Sequence, residues 1–411
     1  MTGAAAFGEA PDDWRVRAAD AIPGGSSTGS KRPAALYGSR AADIAVPTHY
    51  ERAEGCRVWS TDGRRFVDCG MALGAVAIGY ADPAVTRAVQ AAAAGGNVSS
   101  LPHRLEVEVA EALIDVIPCA EQVRFLRTGA EATAAAVRIA RTVTGRERLI
   151  ACGYFGWLDW NSDAAGVPPA VRAAVTWVPF GDVAALEAAL AAGEAPAAII
   201  IEPLVHDIAS VDWLEAARRG ADRTGAVLIF DEVKTAFRVR TGGVQALTGI
   251  TPDLTTIGKA LANGYPLAAV VGRAAVMDGA THSWISSTAA AETTGLAAAQ
   301  AVLAWHERVD VCARMAAAGE RLRDLVASAL DAVPALGVRA EGPAVMWRLT
   351  AHEPQSLDAL VAAAAHHGVL LKRGAYQFGA VAHDDEAIAD VARALPSIVE
   401  SLLPVSRETE R

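Results

Sequence analysis

Lys259 stands in a glycine-bounded turn, Gly258-Lys259-Ala260-Leu261-Ala262-Asn263-Gly264. The apolar run Ala226-Val227-Leu228-Ile229-Phe230 ends in Asp231, 28 residues upstream. An unprotonated lysine amine can form an imine with an aldehyde. A carboxylate at the carboxyl end of a buried strand can keep a pyridine nitrogen protonated. Together the two residues describe a site for pyridoxal 5′-phosphate (PLP), whose ring is the electron sink while the protein supplies position and charge. The chain has four lysines, Lys31, Lys234, Lys259 and Lys372, so few amines compete for the role. Taken singly, each residue has a plainer reading: a solvated loop lysine and a helix cap.

Other residue types complete the constellation. Thr128-Gly129-Ala130 follows one strand-like run and opens a helix-like one. Amides at a helix start form an anion site, and Gly129 lets a phosphate approach closely. An ordinary threonine N-cap fits the same spacing. Tyr154-Phe155-Gly156-Trp157 follows another strand-like run; Tyr154 or Phe155 could cover one face of a flat ring. Val233 could press the other face, whereas Trp157 and Trp160 read as core. Glu202 closes the run Ala197–Ile201, where a buried carboxylate needs a partner, either a ring-side group or an arginine. Thr288, in Ser286-Ser287-Thr288 before a helix, could add a hydroxyl to the phosphate or act as a cap.

The elements that position these residues alternate from about residue 84 onward. Apolar residues at helical spacing predict helices over 105–116 and 130–144. Short apolar runs predict strands at 122–126, 148–151, 175–178, 197–202 and 227–230. Uniformly apolar strands between amphipathic helices indicate an α/β fold with a large, mostly parallel sheet covered on both faces. Ligands of such sheets sit beyond the carboxyl ends of the strands. Arg127-Thr128-Gly129, Glu202-Pro203 and Asp231-Glu232 are thus expected to share a cleft. Residues 11–20 read as a helix. Cys56–Trp59 and Phe66–Asp68 read as a hairpin around Thr61-Asp62-Gly63. A long helix is expected at 296–332, then a small α+β unit. The expected domains are 1–60, joining the small domain; 61–299, the large PLP-binding domain; and 300–411, the small domain.

At 411 residues and 52% hydrophobic, the chain can bury a large core. A net charge of −10 gives no reason to expect nucleic acid or an anionic membrane as partner. The opening MTGAAAFGEAPDDW lacks a secretory pattern, and no run of about 18 apolar residues appears. Five scattered cysteines, Cys56, Cys69, Cys119, Cys152 and Cys312, read as buried thiols of a cytoplasmic protein. No metal site is expected.

In combination, several segments resemble the class III (ω-type) aminotransferases of PLP fold type I, especially the glutamate-1-semialdehyde aminomutase branch. They are Val123-Arg124-Phe125…Gly129-Ala130-Glu131-Ala132, Arg138-Ile139-Ala140-Arg141…Thr144-Gly145-Arg146, Leu228–Val233 and Thr251-Pro252-Asp253-Leu254…Gly258-Lys259. The likeness runs from Ile22-Pro23-Gly24-Gly25 to Ala382-His383-Asp384-Asp385. It implies the large and small domains of the aspartate aminotransferase-like fold and a homodimer with shared active sites. It further implies Lys259 as imine-forming lysine and proton-shift base, and Asp231 on the pyridine nitrogen. Thr128, Gly129 and Ala130 would hold phosphate with Thr288 of a second subunit, and Tyr154 would stack on the ring.

Departures from the branch point away from the aminomutase reaction. The phosphate turn reads Thr-Gly-Ala where the family has Ser-Gly-Thr. Phe155 stands where a histidine is usual. The N-terminal loop offers Ser26, Ser27, Thr28, Lys31 and Arg32 in place of a carboxylate-binding arginine context, and a gating glutamate is replaced close to Ala375. The loop is similar to that of 6′-aminotransferases of aminoglycoside pathways of the gentamicin and kanamycin type. The resemblance therefore implies transfer of an amino group between a donor and an oxidised amino sugar, with Ser27, Thr28, Lys31 and Arg32 toward substrate. A PLP-dependent epimerase or aminomutase, on an amino sugar or on glutamate-1-semialdehyde, would use the same catalytic residues. A silent relative would need neither Lys259 nor Asp231.

Overall fold

The computed structural model describes residues 11–43, 45–374 and 376–403. The first ten residues of the opening segment and the Ala375 position lie outside them. In chain order the strands are Tyr50–Glu54 (β1), Arg57–Ser60 (β2), Arg65–Asp68 (β3), Gln122–Leu126 (β4), Leu149–Cys152 (β5), Val175–Trp177 (β6) and Ala198–Ile201 (β7). They continue with Val227–Asp231 (β8), Leu254–Ile257 (β9), Ala268–Gly272 (β10), Val338–Glu341 (β11), Trp347–Ala351 (β12), Val369–Leu370 (β13) and Tyr376–Gln377 (β14).

Two compact units divide the chain. One spans Pro83–Cys312; the other takes the residues up to Asp82 and those from Ala313 onward. These boundaries lie further along the chain than the expected 60/61 and 299/300, for a packing reason. The strands around residue 61 pair with one another and with β13. The helix Thr293–Arg308 packs on helices Pro83–Ala94 and Arg104–Val116 of the larger unit. The expected helix over 296–332 is two helices, Thr293–Arg308 and Val311–Asp331. Val309 takes an extended conformation between them (φ −144°, ψ 153°). Apolar spacing continues on both sides of that break, so periodicity alone does not reveal it.

The larger unit holds a seven-stranded sheet in the order β4-β10-β9-β8-β7-β5-β6. From β9 to β6 every pairing is parallel, and β10 runs antiparallel between β4 and β9. Alternate residues of each central strand feed two cores, since successive side chains point to opposite faces. Leu149, Ala151, Ile200 and Ile229 pack with helix Gly129–Thr144. Ile150, Ile199, Ile201, Leu228 and Phe230 pack with Leu186, Trp213 and Leu214 of helices Val183–Ala191 and Val211–Thr224. Each fully buried aliphatic side chain contributes about 1.5–3 kcal/mol. That burial fixes the register, because a one-residue slip would exchange the two faces. Ile201 lies beside Phe230, and Asp231 beside Thr256, so the carboxyl ends are level.

The smaller unit contains the sheet β1-β2-β3-β13 and the sheet β11-β12-β14. β2 and β3 form the expected antiparallel hairpin, with Gly63 at φ +84° in its turn. His383 is buried there. Its Nδ1 accepts from the Ala380 amide (3.0 Å) and its Nε2 donates to the Asp68 carbonyl (3.1 Å). These two fixed partners select the neutral ring, and burial pushes its pKa down to about 4. Unfolded, the ring titrates near pH 6.5. Its contribution is therefore whole above pH 6.5 and is lost as pH falls from 6.5 to 4, by about 3 kcal/mol. Urea midpoints at pH 7 and pH 4.5 check this. His383→Gln should start less stable yet lose less on acidification than the parent; equal losses would show that the ring is not responsible.

Candidate active site

Asp231 is the last residue of β8 and is buried. Its Oδ1 accepts from the Val233 amide (3.0 Å) and from the Thr256 hydroxyl (2.9 Å). No hydrogen bond among the described residues ends on Oδ2, which leaves that oxygen able to receive a proton-bearing nitrogen. Burial, and then the Glu202 charge, push its carboxyl above the ordinary range. A cationic ring beside it would act in the opposite direction.

Lys259 follows β9 and is half-buried. Its φ is +46°, a left-handed value that costs a non-glycine residue about 1–3 kcal/mol. The buried Ala260, Leu261 and Ala262 hold the turn in that shape. Burial and the Lys234 ammonium lower the proton affinity of the Lys259 amine, while Asp231 and Glu202 work against that shift. A neutral amine near neutral pH is what imine chemistry needs.

Thr128 caps helix Gly129–Thr144 in a reciprocal box: its hydroxyl accepts from the Glu131 amide, and Glu131 accepts from the Thr128 amide. The plain N-cap reading is thus correct for the threonine side chain, while its two successors keep the anion-site character. No acceptor among the described residues takes the Gly129 or Ala130 N–H. A Cβ on Gly129 would stand 2.9 Å from Val233 Cγ1, and one on Gly258 would stand 3.6 Å from the same atom. The Thr128-Gly129-Ala130 turn, Val233 and the Lys259 turn therefore converge on one place. Gly156 makes a similar approach, since its Cβ would lie 2.4 Å from that of Ala130.

Glu202 is buried and fully engaged. Oε1 pairs with Lys234 Nζ at 2.7 Å, and Oε2 accepts from the Tyr154 amide at 2.8 Å. The expected arginine partner is a lysine. Tyr154 is 69% exposed, while Phe155 is buried against Trp160 and Trp177, with centroids 5.6 and 6.1 Å away. Only Tyr154 can face a ligand. Trp160 is core as expected, but Trp157 is 75% exposed, a correction that follows from its place in the turn after Gly156.

Glu232 does not join the cleft. It is buried and accepts from the Val244 and Gln245 amides and from the Thr235 hydroxyl. Adjacent residues at a strand end point opposite ways. Thr288 is exposed on a separate hollow of about 300 Å³ with Asn97, Ser99 and Ser287. Ser27, Thr28, Lys31 and Arg32 are all exposed and belong to the smaller unit. There Arg32 folds back so that its Nε donates to the Ser26 carbonyl (3.4 Å).

Sequence reasoning missed Lys234. Its signal was available: one of four lysines, three residues beyond Asp231. It also missed Thr256, which only the β8–β9 register brings to Asp231.

The open Oδ2, the two unpaired amides and the depressed lysine fit PLP. The model of the aminotransferase class-III family matches residues 37–156 and 180–383. The chain belongs to the class III aminotransferases. It is 36% identical over 364 residues to the 2′-deamino-2′-hydroxyneamine transaminase of Streptomyces kanamyceticus, covering 86% of this chain and 92% of that protein. It is 33% identical over 420 residues to a glutamate-1-semialdehyde 2,1-aminomutase of Laribacter hongkongensis, covering 92% and 96%. The structure of the PLP internal aldimine form of Sphingopyxis FumI protein superposes with a TM-score of 0.88 at 27% identity, over 96% of each chain. The protein is a PLP-dependent aminotransferase of fold type I, acting on small molecules.

Proposed function

We propose that this aminotransferase moves an amino group between an amino donor and an oxidised amino sugar, a 6′-oxo aminoglycoside, in antibiotic biosynthesis. The observation that carries the reading is the hollow beside Tyr154, about 570 Å³, walled by Tyr154, Asn161, Asp163 and Trp177. It offers an aromatic face, an amide and hydroxyl, and the opposed charges of Asp163 and Arg172, groups that suit the hydroxyls and amines of a sugar. Likeness to the neamine-type transaminase over most of its length supports it. Ser27, Thr28, Lys31 and Arg32 are exposed, and their hydroxyls and cations are of the kinds that bind sugar hydroxyls and donor carboxylates.

When bound, PLP supplies an aldehyde for the amine and a ring that draws in electrons. Asp231 would face the ring nitrogen through Oδ2. Lys259 would hold the aldehyde carbon and then carry the proton. The Gly129 and Ala130 amides, after the Thr128 cap, would hold the phosphate, with Tyr154 and Val233 on the ring faces. Glu202 anchors the Tyr154 backbone. A second copy of the chain would bring Thr288 to the phosphate. The exposed Leu101, Trp157 and Trp284 are large apolar groups suited to such a homodimer contact. A cytoplasmic site of action goes with the proposed role.

The second reading, an aminomutase or epimerase, is favoured by the aminomutase relatives at similar identity. Stopped-flow spectra separate the two. Kanamycin- or gentamicin-type 6′-amines should convert the cofactor to its amino form, with a second-order rate constant that falls as salt rises, because a chain of net charge −10 attracts a polycation. Glutamate-1-semialdehyde should react poorly. Fast reaction of the semialdehyde with silence from every aminoglycoside would replace the first reading by the second.

A further inference from the structure

We propose that Lys234 is a positioning residue whose ammonium, clamped by Glu202, sets the charge balance under which the Lys259 amine works. The inference rests on Lys259 being the cofactor lysine. Val233, one residue before Lys234, approaches Gly258, the neighbour of Lys259; in that surrounding Lys234 opposes protonation of the Lys259 amine while Asp231 and Glu202 favour it. Glu202 and Asp231 are buried carboxylates at the level ends of β7 and β8. By themselves they would place two negative charges near the lysine and hold its proton. The Lys234 ammonium lies 2.7 Å from Glu202 Oε1 and its side chain is 11% exposed, so it cancels one of those charges locally. At low dielectric such a pair is scarcely screened by salt. Of these two carboxylates, Asp231 then keeps the charge that would pair with a protonated ring nitrogen.

The arrangement is also mechanically linked to Tyr154, the residue that would face the ring. The other oxygen of Glu202 holds the Tyr154 amide, and a Cβ on Gly153 would come within 2.6 Å of Glu202 Cγ. Glu202 therefore cannot follow Lys259 without leaving both partners. Lys234 is placed one residue after Val233, the side chain on which Gly129 and Gly258 converge. Its charge is thus built into the turn that shapes the site.

The test measures the proton affinity of the Lys259 amine directly. The full chain, freed of PLP, is acylated with limiting acetic anhydride across pH 6–10, and the Lys259 peptide is quantified by mass spectrometry. In Lys234→Met the apparent pKa of Lys259 should rise by about one unit, so labelling near neutral pH falls about tenfold. Lys234→Arg, which keeps the charge, should stay near the parent. Removing both partners in Glu202→Gln/Lys234→Met takes away the opposing charges together and should also return Lys259 close to the parent value. That double variant covers the case in which an unpaired Glu202 prevents folding. A purely structural Lys234 would lower thermal stability in Lys234→Met while leaving the Lys259 profile unmoved, and that result overturns the proposal. So would a raised value in the double variant. If reduction of the parent holoenzyme labels another lysine, the reading beneath the inference fails instead.

Discussion

Lys259→Ala should fold, take up PLP without a covalent link, and lose at least about a thousandfold in rate. The loss has two sources. The covalent step needs an amine at this place, and general-base help with the proton shift is worth about 10²–10⁴. Lys234 and Lys372 are already engaged. Lys234 is clamped to Glu202, and the Lys372 ammonium donates to the Ser30 carbonyl. The thermal midpoint should rise or hold, because alanine can keep the turn that Ala260, Leu261 and Ala262 hold while removing a half-buried amine. A circular dichroism melt and single-turnover kinetics check the two halves. Retention of more than about a tenth of the rate would assign the proton transfer elsewhere.

Asp231→Asn is expected to cost on the order of 4 kcal/mol in barrier, about three orders of magnitude in rate. The amide is nearly isosteric, so the Val233 and Thr256 contacts to this side chain can largely persist. What disappears is the negative charge that favours a protonated ring. PLP affinity should fall far less than rate, because the phosphate contacts are untouched. Spectral titration of PLP binding beside turnover separates the two quantities. Near-normal turnover with normal binding would mean that Glu202 or another group protonates the ring.

Much of the candidate site's geometry was legible because its signals are local in sequence. A strand end, a helix start and a glycine turn each carry their signal within a few residues, and the rule that ligands gather at carboxyl ends placed Thr128, Glu202 and Asp231 in one cleft. Those central strands were legible for the same reason: buried on both faces, they are apolar without interruption. What stayed hidden depends on register or on partners distant in sequence. Thr256 reaches Asp231 only through the β8–β9 pairing, and β9 itself carries two threonines. Glu202 needed a cation, but whether Arg or Lys supplied it depends on a turn whose shape no spacing rule gives. Glu232 looked equivalent to Asp231 until strand alternation turned it toward Val244 and Gln245. The break at Val309 had no proline or glycine to announce it. Exposure of Trp157 likewise depends on the path of the loop after Gly156 rather than on residue type.

Borohydride reduction of the holoenzyme, followed by digestion and mass spectrometric mapping, tests the central claim most directly. A pyridoxyl phosphate mass on the peptide containing Lys259, with none on Lys31, Lys234 or Lys372, is the predicted result. A reduced label on any of those three, or a protein that binds PLP yet acquires no label at all, would contradict it.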